Sequence, residues 1–112
     1  MVVADTSVSE GSIVEGRVHL TRSEEEKRPL LTRLSRIEGQ VRGLRTMIEQ
    51  DRYCLDEVQQ VNAISAALRE VALAIIAQHV TVGVQIAVRD GSPDVAIDDV
   101  MSVLRAAMRK GE

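Results

Sequence analysis

Residues 54–91, CLDEVQQVNAISAALREVALAIIAQHVTVGVQIAVRDG, decide the fold. Cys54, Val58, Val61, Ser65, Leu68, Ala72, Ile75, His79, Val82 and Ile86 recur at alternating steps of four and three, the spacing that lines one face of a helix. Asp90-Gly91 closes the pattern, since glycine readily takes the left-handed conformation beyond a helix end. A helix of about 35 residues is roughly 50 Å long, more than a chain of 112 residues covers alone. The sequence therefore predicts association with further copies of itself.

Upstream, Leu30, Leu34, Ile37, Val41, Leu44 and Ile48 repeat the same alternation, and Pro29 suits a first helical turn, which predicts a helix over 29–51. Gly39 and Gly43 interrupt it at about 1 kcal/mol each and read either as close approach of another backbone or as tolerated defects. Downstream, Ser92 as cap, Pro93, Asp94 and the apolar positions Val95, Val100, Val103, Leu104 and Ala107 predict a short third helix ending near Gly111. Residues 1–22 show neither helical nor strand period and read as a mobile N-terminal tail ahead of a helical domain over 23–112. The expected fold class is all-α, a three-helix protomer without strands.

Hydrophobic residues make up 45% of the chain and charged residues 28%, but there is no Trp or Phe and Tyr53 is the one aromatic, so the core is aliphatic. The single cysteine, Cys54, excludes an intrachain disulfide and a self-contained cysteine zinc finger. No basic start precedes an apolar stretch, and no uninterrupted apolar run reaches about 18 residues. Neither a signal peptide nor a membrane span is expected, which points to the cytoplasm.

The net charge of −3 hides an uneven distribution, because residues 27–45 alone carry +5 through Lys27, Arg28, Arg33, Arg36, Arg42 and Arg45 against Glu38. Arg33 and Arg36 share a strip, and Arg69 is placed to join it across an assembly. Such a strip is either a solvated face or a nucleic-acid surface. With no helix-turn-helix pattern, its contacts to DNA would be mainly to phosphate and salt-sensitive.

Cys54 and His79 are 25 residues apart, which returns them to one helix face within roughly 20° but separates them by about 37 Å. A metal needs each donor at about 2.0 to 2.3 Å, so one chain cannot close a site between them. Two copies of the helix packed antiparallel about a two-fold axis bring Cys54 of one to His79 of the other. A thiolate and an imidazole suit Cu(I), Zn(II) or Ni(II), and Cu(I) tolerates the fewest ligands. The bland alternative makes both residues part of the core, His19 a stray tail histidine, and Asn62 and Ser65 residues that fix helix register.

The run Arg33-Leu34-Ser35-Arg36-Ile37-Glu38-Gly39-Gln40-Val41-Arg42-Gly43, then Tyr53-Cys54, Ala66-Ala67-Leu68-Arg69, Val71-Ala72-Leu73 and His79, resembles the copper-sensitive operon repressor family, which includes nickel/cobalt and formaldehyde sensors. The resemblance spans about residues 27–110. It implies a bacterial transcriptional repressor built as an antiparallel four-helix-bundle dimer that pairs into a disc-shaped homotetramer. It also implies operator DNA held by Arg33, Arg36, Arg42 and Arg69. By the same resemblance Cys54 is the first metal ligand and His79 the second, with Tyr53 beside the first and Asp99 (or Asp98) supporting the histidine. The family's third ligand corresponds to Gly83, which has no side-chain donor. The extra N-terminal histidine of the nickel and cobalt sensors falls near Arg22, three residues from His19, and the N-terminal proline of the formaldehyde sensors has no counterpart.

These features point to a repressor released from its operator by an inducer at Cys54 and His79, with Cu(I) the first choice and formaldehyde, another electrophile or another metal the alternative. From another class, a helical structural adaptor would use the same helices and bind no DNA. A thiol enzyme lacks an oxyanion motif and a substrate pocket here, so no enzymatic activity is expected.

Overall fold

The computed structural model describes residues 8–91 and 93–109. Two strands, β1 (Glu10–Val14) and β2 (Arg17–Thr21), precede three helices, α1 (Glu24–Glu49), α2 (Cys54–Asp90) and α3 (Pro93–Met108). The three-helix protomer is as the sequence predicts. The chain divides into two compact units, one holding the hairpin, the start of α1 through Lys27 and the residues from Ala74 onward, the other Arg28–Leu73.

The strands correct the expectation that residues 1–22 lack regular structure. They pair antiparallel, with Val14 opposite Arg17, Ile13 opposite Val18 and Gly11 opposite Leu20. Glu15 and Gly16 form the two-residue turn at φ of 52° and 73°, the doubly left-handed geometry whose twist matches an antiparallel hairpin. Inward positions Gly11, Ile13, Val18 and Leu20 alternate with exposed Ser12, Val14, Arg17 and His19. An isolated hairpin is marginal in water; this one is held because Val18 joins Val82, Ile86 and Ala96 in a core flanked by Ile13, Leu20 and Ala87. Burying each of the larger side chains contributes about 1.5–3 kcal/mol. Gly11 permits the fit, since a Cβ there would overlap Val82 Cγ1 and stand 2.8 Å from the His19 carbonyl oxygen.

Helix α1 begins at Glu24, five residues before the expected Pro29. The cause is a cap: the Ser23 hydroxyl accepts the Glu26 N–H at 3.2 Å, and Glu24, Glu25 and Glu26 oppose the positive end of the helix dipole. Pro29 consequently lies inside the helix, where it has no N–H to donate to the Glu25 carbonyl. Gly39 and Gly43 mark no close backbone approach within the protomer, since an added Cβ would meet only Arg42 and Gln60 side-chain atoms at 3.6 and 3.7 Å.

Helix α2 has the expected limits, but its long stripe is only partly a core face. Within Arg28–Leu73, the buried residues are Leu30 and Ile37 of α1 with Ile64 and Val71 of α2, while Val58, Val61 and Leu68 are 45–54% exposed. Beyond Ala74 the stripe does turn inward, at Val82 and Ile86. The helix is apolar on more than one side, so periodicity alone does not say which side the chain itself covers. By length and composition α2 also suffices to cross a membrane, which the absence of an uninterrupted apolar run did not suggest. The predicted Ser92 cap and the helix end near Gly111 lie outside the described residues.

Candidate functional site

His79 and Asp99 form the chemical centre of the first unit. Helix α2 presents His79 and α3 presents Asp99, with His79 Nε2 2.8 Å from Asp99 Oδ2 and the two side chains 12% and 11% exposed. The same Oδ2 accepts the Val18 N–H from β2 at 3.1 Å. A carboxylate only accepts, so in the neutral imidazole this contact calls for the proton on Nε2 and leaves the Nδ1 lone pair available. Of the two sequence candidates, Asp99 is the one in contact with His79, and Asp98 is exposed.

One turn beyond His79, Gly83 is buried. A Cβ there would overlap Val100 Cγ2 and touch Val18 Cγ2 at 4.0 Å. The position thus lacks a donor and is also filled by valine methyls. Sequence reading named neither Val18 nor this role of Val100; an inward Val18 becomes visible only once the hairpin is recognised. His19, adjacent to Val18, is exposed, on the opposite side of β2. Arg22 is engaged elsewhere, its Nε donating to Gln78 Oε1 at 2.6 Å.

In the second unit Cys54 is an exposed free thiol and the first residue of α2. Tyr53 caps that helix through its carbonyl, which accepts the N–H groups of Asp56 at 3.0 Å and Glu57 at 3.2 Å, and its ring is 70% exposed. Among the described residues, no three His, Cys, Asp or Glu side chains gather as a metal site.

The basic strip lies on α1 and α2 of the same unit. Arg33, Arg36, Arg42 and Arg69 are all exposed. Arg33 Nη1 stands 3.9 Å from Glu70 Oε2, and Arg33, Arg36, Ile37, Gln40, Ala67 and Glu70 line a concavity of about 370 Å³. Arg45 pairs with Glu49 at 3.2 Å and Lys27 with Glu24 at 3.8 Å, so part of the basic run is balanced along its own helix. Arg36, Arg42 and Arg69 have no ion-pair partner among the described residues.

A family model for metal-sensitive transcriptional repressors matches residues 26–106. The copper-sensing transcriptional repressor CsoR of Bacillus subtilis (strain 168) is 40% identical over 84 residues, which are 75% of this chain and 83% of that one. The copper-sensing transcriptional repressor RicR of Mycobacterium tuberculosis H37Rv is 49% identical over 61 residues, 54% of this chain and 64% of its own. Among solved structures, Cu(I)-bound CsoR from Geobacillus thermodenitrificans NG80-2 superposes with a TM-score of 0.72 at 39% identity, covering 83% of this chain and 97% of that chain. The nickel-responsive regulator InrS gives 0.68 at 32% identity, covering 72% and 91%. The likeness holds in sequence and, for the two solved structures, in fold, and all four are named as repressors or transcriptional regulators. The chain belongs to the metal-sensitive transcriptional repressor family.

Proposed function

We propose that this protein is a Cu(I)-responsive repressor of the bacterial cytoplasm, held on operator DNA by its arginines and released when Cys54 of one protomer and His79 of the partner subunit take up the ion. The observation that carries the reading is the His79–Asp99 pair, which ties down Nε2 and leaves Nδ1 as the nitrogen able to act as a ligand. Relatives named for copper sensing support the choice of ion. The donor set agrees with it: one thiol and one imidazole, with valine methyls where a third donor would have to fit. Bound Cu(I) would supply a soft acceptor for the thiolate and the imidazole nitrogen, without need of the four donors of a closed zinc site.

The chain's own residues have separate tasks in this account. Asp99 fixes the His79 ring, Val18 and Val100 exclude water beside Gly83, and Tyr53 flanks the thiol. The aliphatic stripe Val58, Val61, Leu68 and Ile75, 40–54% exposed in one protomer, supports an antiparallel dimer that pairs into a tetramer. Arg33, Arg36, Arg42 and Arg69 hold operator phosphates. Release requires that the ligand prefer the conformation with poorer DNA contacts, since equal affinity for both shifts nothing.

The test is an anaerobic Cu(I) titration of the reduced protein against a competing chelator, with operator-fragment binding followed in parallel and Cys54→Ala as control. Uptake lost in the variant and accompanied by DNA release is the expected result. A second reading, an electrophile sensor, is favoured by the exposure of the Cys54 thiol; DNA release by formaldehyde but not by copper would select it.

A further inference from the structure

The N-terminal hairpin is tied to α2 and α3 at several points, one of them Asp99, the partner of His79. Val18 donates its N–H to Asp99 Oδ2 at 3.1 Å, the oxygen that also holds His79 Nε2 at 2.8 Å. Its side chain is 7% exposed, packs with Val82, Ile86 and Ala96, and reaches the space above Gly83. On the other strand, Arg89 Nη2 of α2 donates to the Gly11 carbonyl at 3.3 Å. In an isolated two-stranded sheet the outward N–H and C=O groups of both strands are unpaired. Here an outward group of each strand is taken by a helix side chain, Asp99 on β2 and Arg89 on β1.

We propose that the β1–β2 hairpin is a working part of the sensing site, in which the Val18 amide positions Asp99, Asp99 presents His79 with Nδ1 free, and hairpin docking and ligand uptake are thermodynamically linked. This rests on the copper reading for the identity of the ligand, but not for the positioning. With Val18 in place, Asp99 Oδ2 is held by two donors from two different elements, so the carboxylate has a fixed orientation before any ligand arrives. Without it, one donor remains, and the carboxylate can turn about its own bonds and loosen its hold on His79 Nε2, which lets the ring sample the tautomer with a proton on the nitrogen that must bind. Linkage is reciprocal: if docking raises ligand affinity, ligand raises docking by the same factor. Val18 is thus a positioning residue, and it acts through its backbone rather than its side chain.

Two full-length variants separate this role from general stability. Val18→Pro removes the amide donor at a strand position whose N–H faces away from β1. Gly11→Val forces the hairpin off Val82 without altering Asp99 or His79. Three measurements apply: the imidazole ¹⁵N shifts of His79 in metal-free protein, hydrogen exchange of amides 10–21, and Cu(I) affinity by chelator competition. The expected wild-type state is a single Nε2–H tautomer, with slower hairpin exchange after Cu(I) is added. Both variants should show mixed tautomers and bind Cu(I) about tenfold more weakly, the lower end of the effect of losing an outer partner of a metal-binding histidine. Rapid hairpin exchange in Gly11→Val with unchanged His79 shifts and unchanged affinity would overturn the proposal. A wild type that takes up no Cu(I) would remove the copper reading alone, and the metal-free tautomer comparison would still decide the role of the hairpin.

Discussion

Asp99 Oδ2 lies 2.8 Å from His79 Nε2, and at 11% and 12% exposure neither side chain has much water to replace the other. That relationship joins α3 to α2 through a polar contact in a small aliphatic core. Removing one partner of such a pair leaves a donor without an acceptor, which costs about 1–3 kcal/mol. Asp99→Ala is therefore expected to reduce the unfolding free energy measured in urea by that amount, since it strands both His79 Nε2–H and the Val18 N–H. An unchanged unfolding curve would show that water satisfies these groups.

Cys54 offers the opposite contrast. Its thiol is exposed, so Cys54→Ser should change unfolding free energy by no more than about 0.5 kcal/mol. Copper uptake by the same variant should be abolished. Calorimetry for the first quantity and chelator competition for the second separate a ligand from a structural residue.

Gly83 is where this chain parts from the three-ligand pattern that its resemblance implies. Gly83→Cys alone should destabilise the fold by about 1–3 kcal/mol, because its Cβ overlaps Val100 Cγ2. Adding Val100→Ala should recover part of that loss and give a site that binds Cu(I) more tightly than wild type. The two variants are compared by denaturation and by competition titration. A stable Gly83→Cys single variant would mean that Val100 moves aside readily.

Arg36, Arg42 and Arg69 are exposed and without acid partners among the described residues. Replacing any one by Ala should leave stability nearly unchanged and weaken operator binding. For every phosphate that such a variant no longer neutralises, the slope of log affinity against log salt should become shallower by about 0.9. Fluorescence anisotropy over a salt series measures both effects.

The legible parts of the sequence were those written in helical period. The α2 limits at Cys54 and Asp90 follow from the stripe and from Gly91, which takes a φ of 65°. Asp99 as partner of His79 came from resemblance, and the structure places the two in contact. The hairpin was hidden because Ile13 and Val14 are adjacent apolar residues, which blurs a period of two, and because Glu-Gly is a weaker turn signal than Asn-Gly. The side of α2 that is buried was also illegible between Val58 and Ile75, where that helix has apolar residues on several faces and only tertiary packing selects Ile64 and Val71. The start of α1 depended on the Ser23 cap, a local contact that overrode the proline signal at position 29.

The central claim is that the ligand site is shared between subunits, and mixing two inactive variants tests it most directly. Cys54→Ala and His79→Ala each bind no Cu(I) as homo-oligomers in this account. A mixed dimer of the two keeps one pairing in which Cys54 and His79 are both intact, so unfolding and co-refolding them together should restore copper uptake, one ion per mixed dimer. A mixture that stays as inactive as its components, although mass spectrometry shows that mixed dimers have formed, would contradict the shared site.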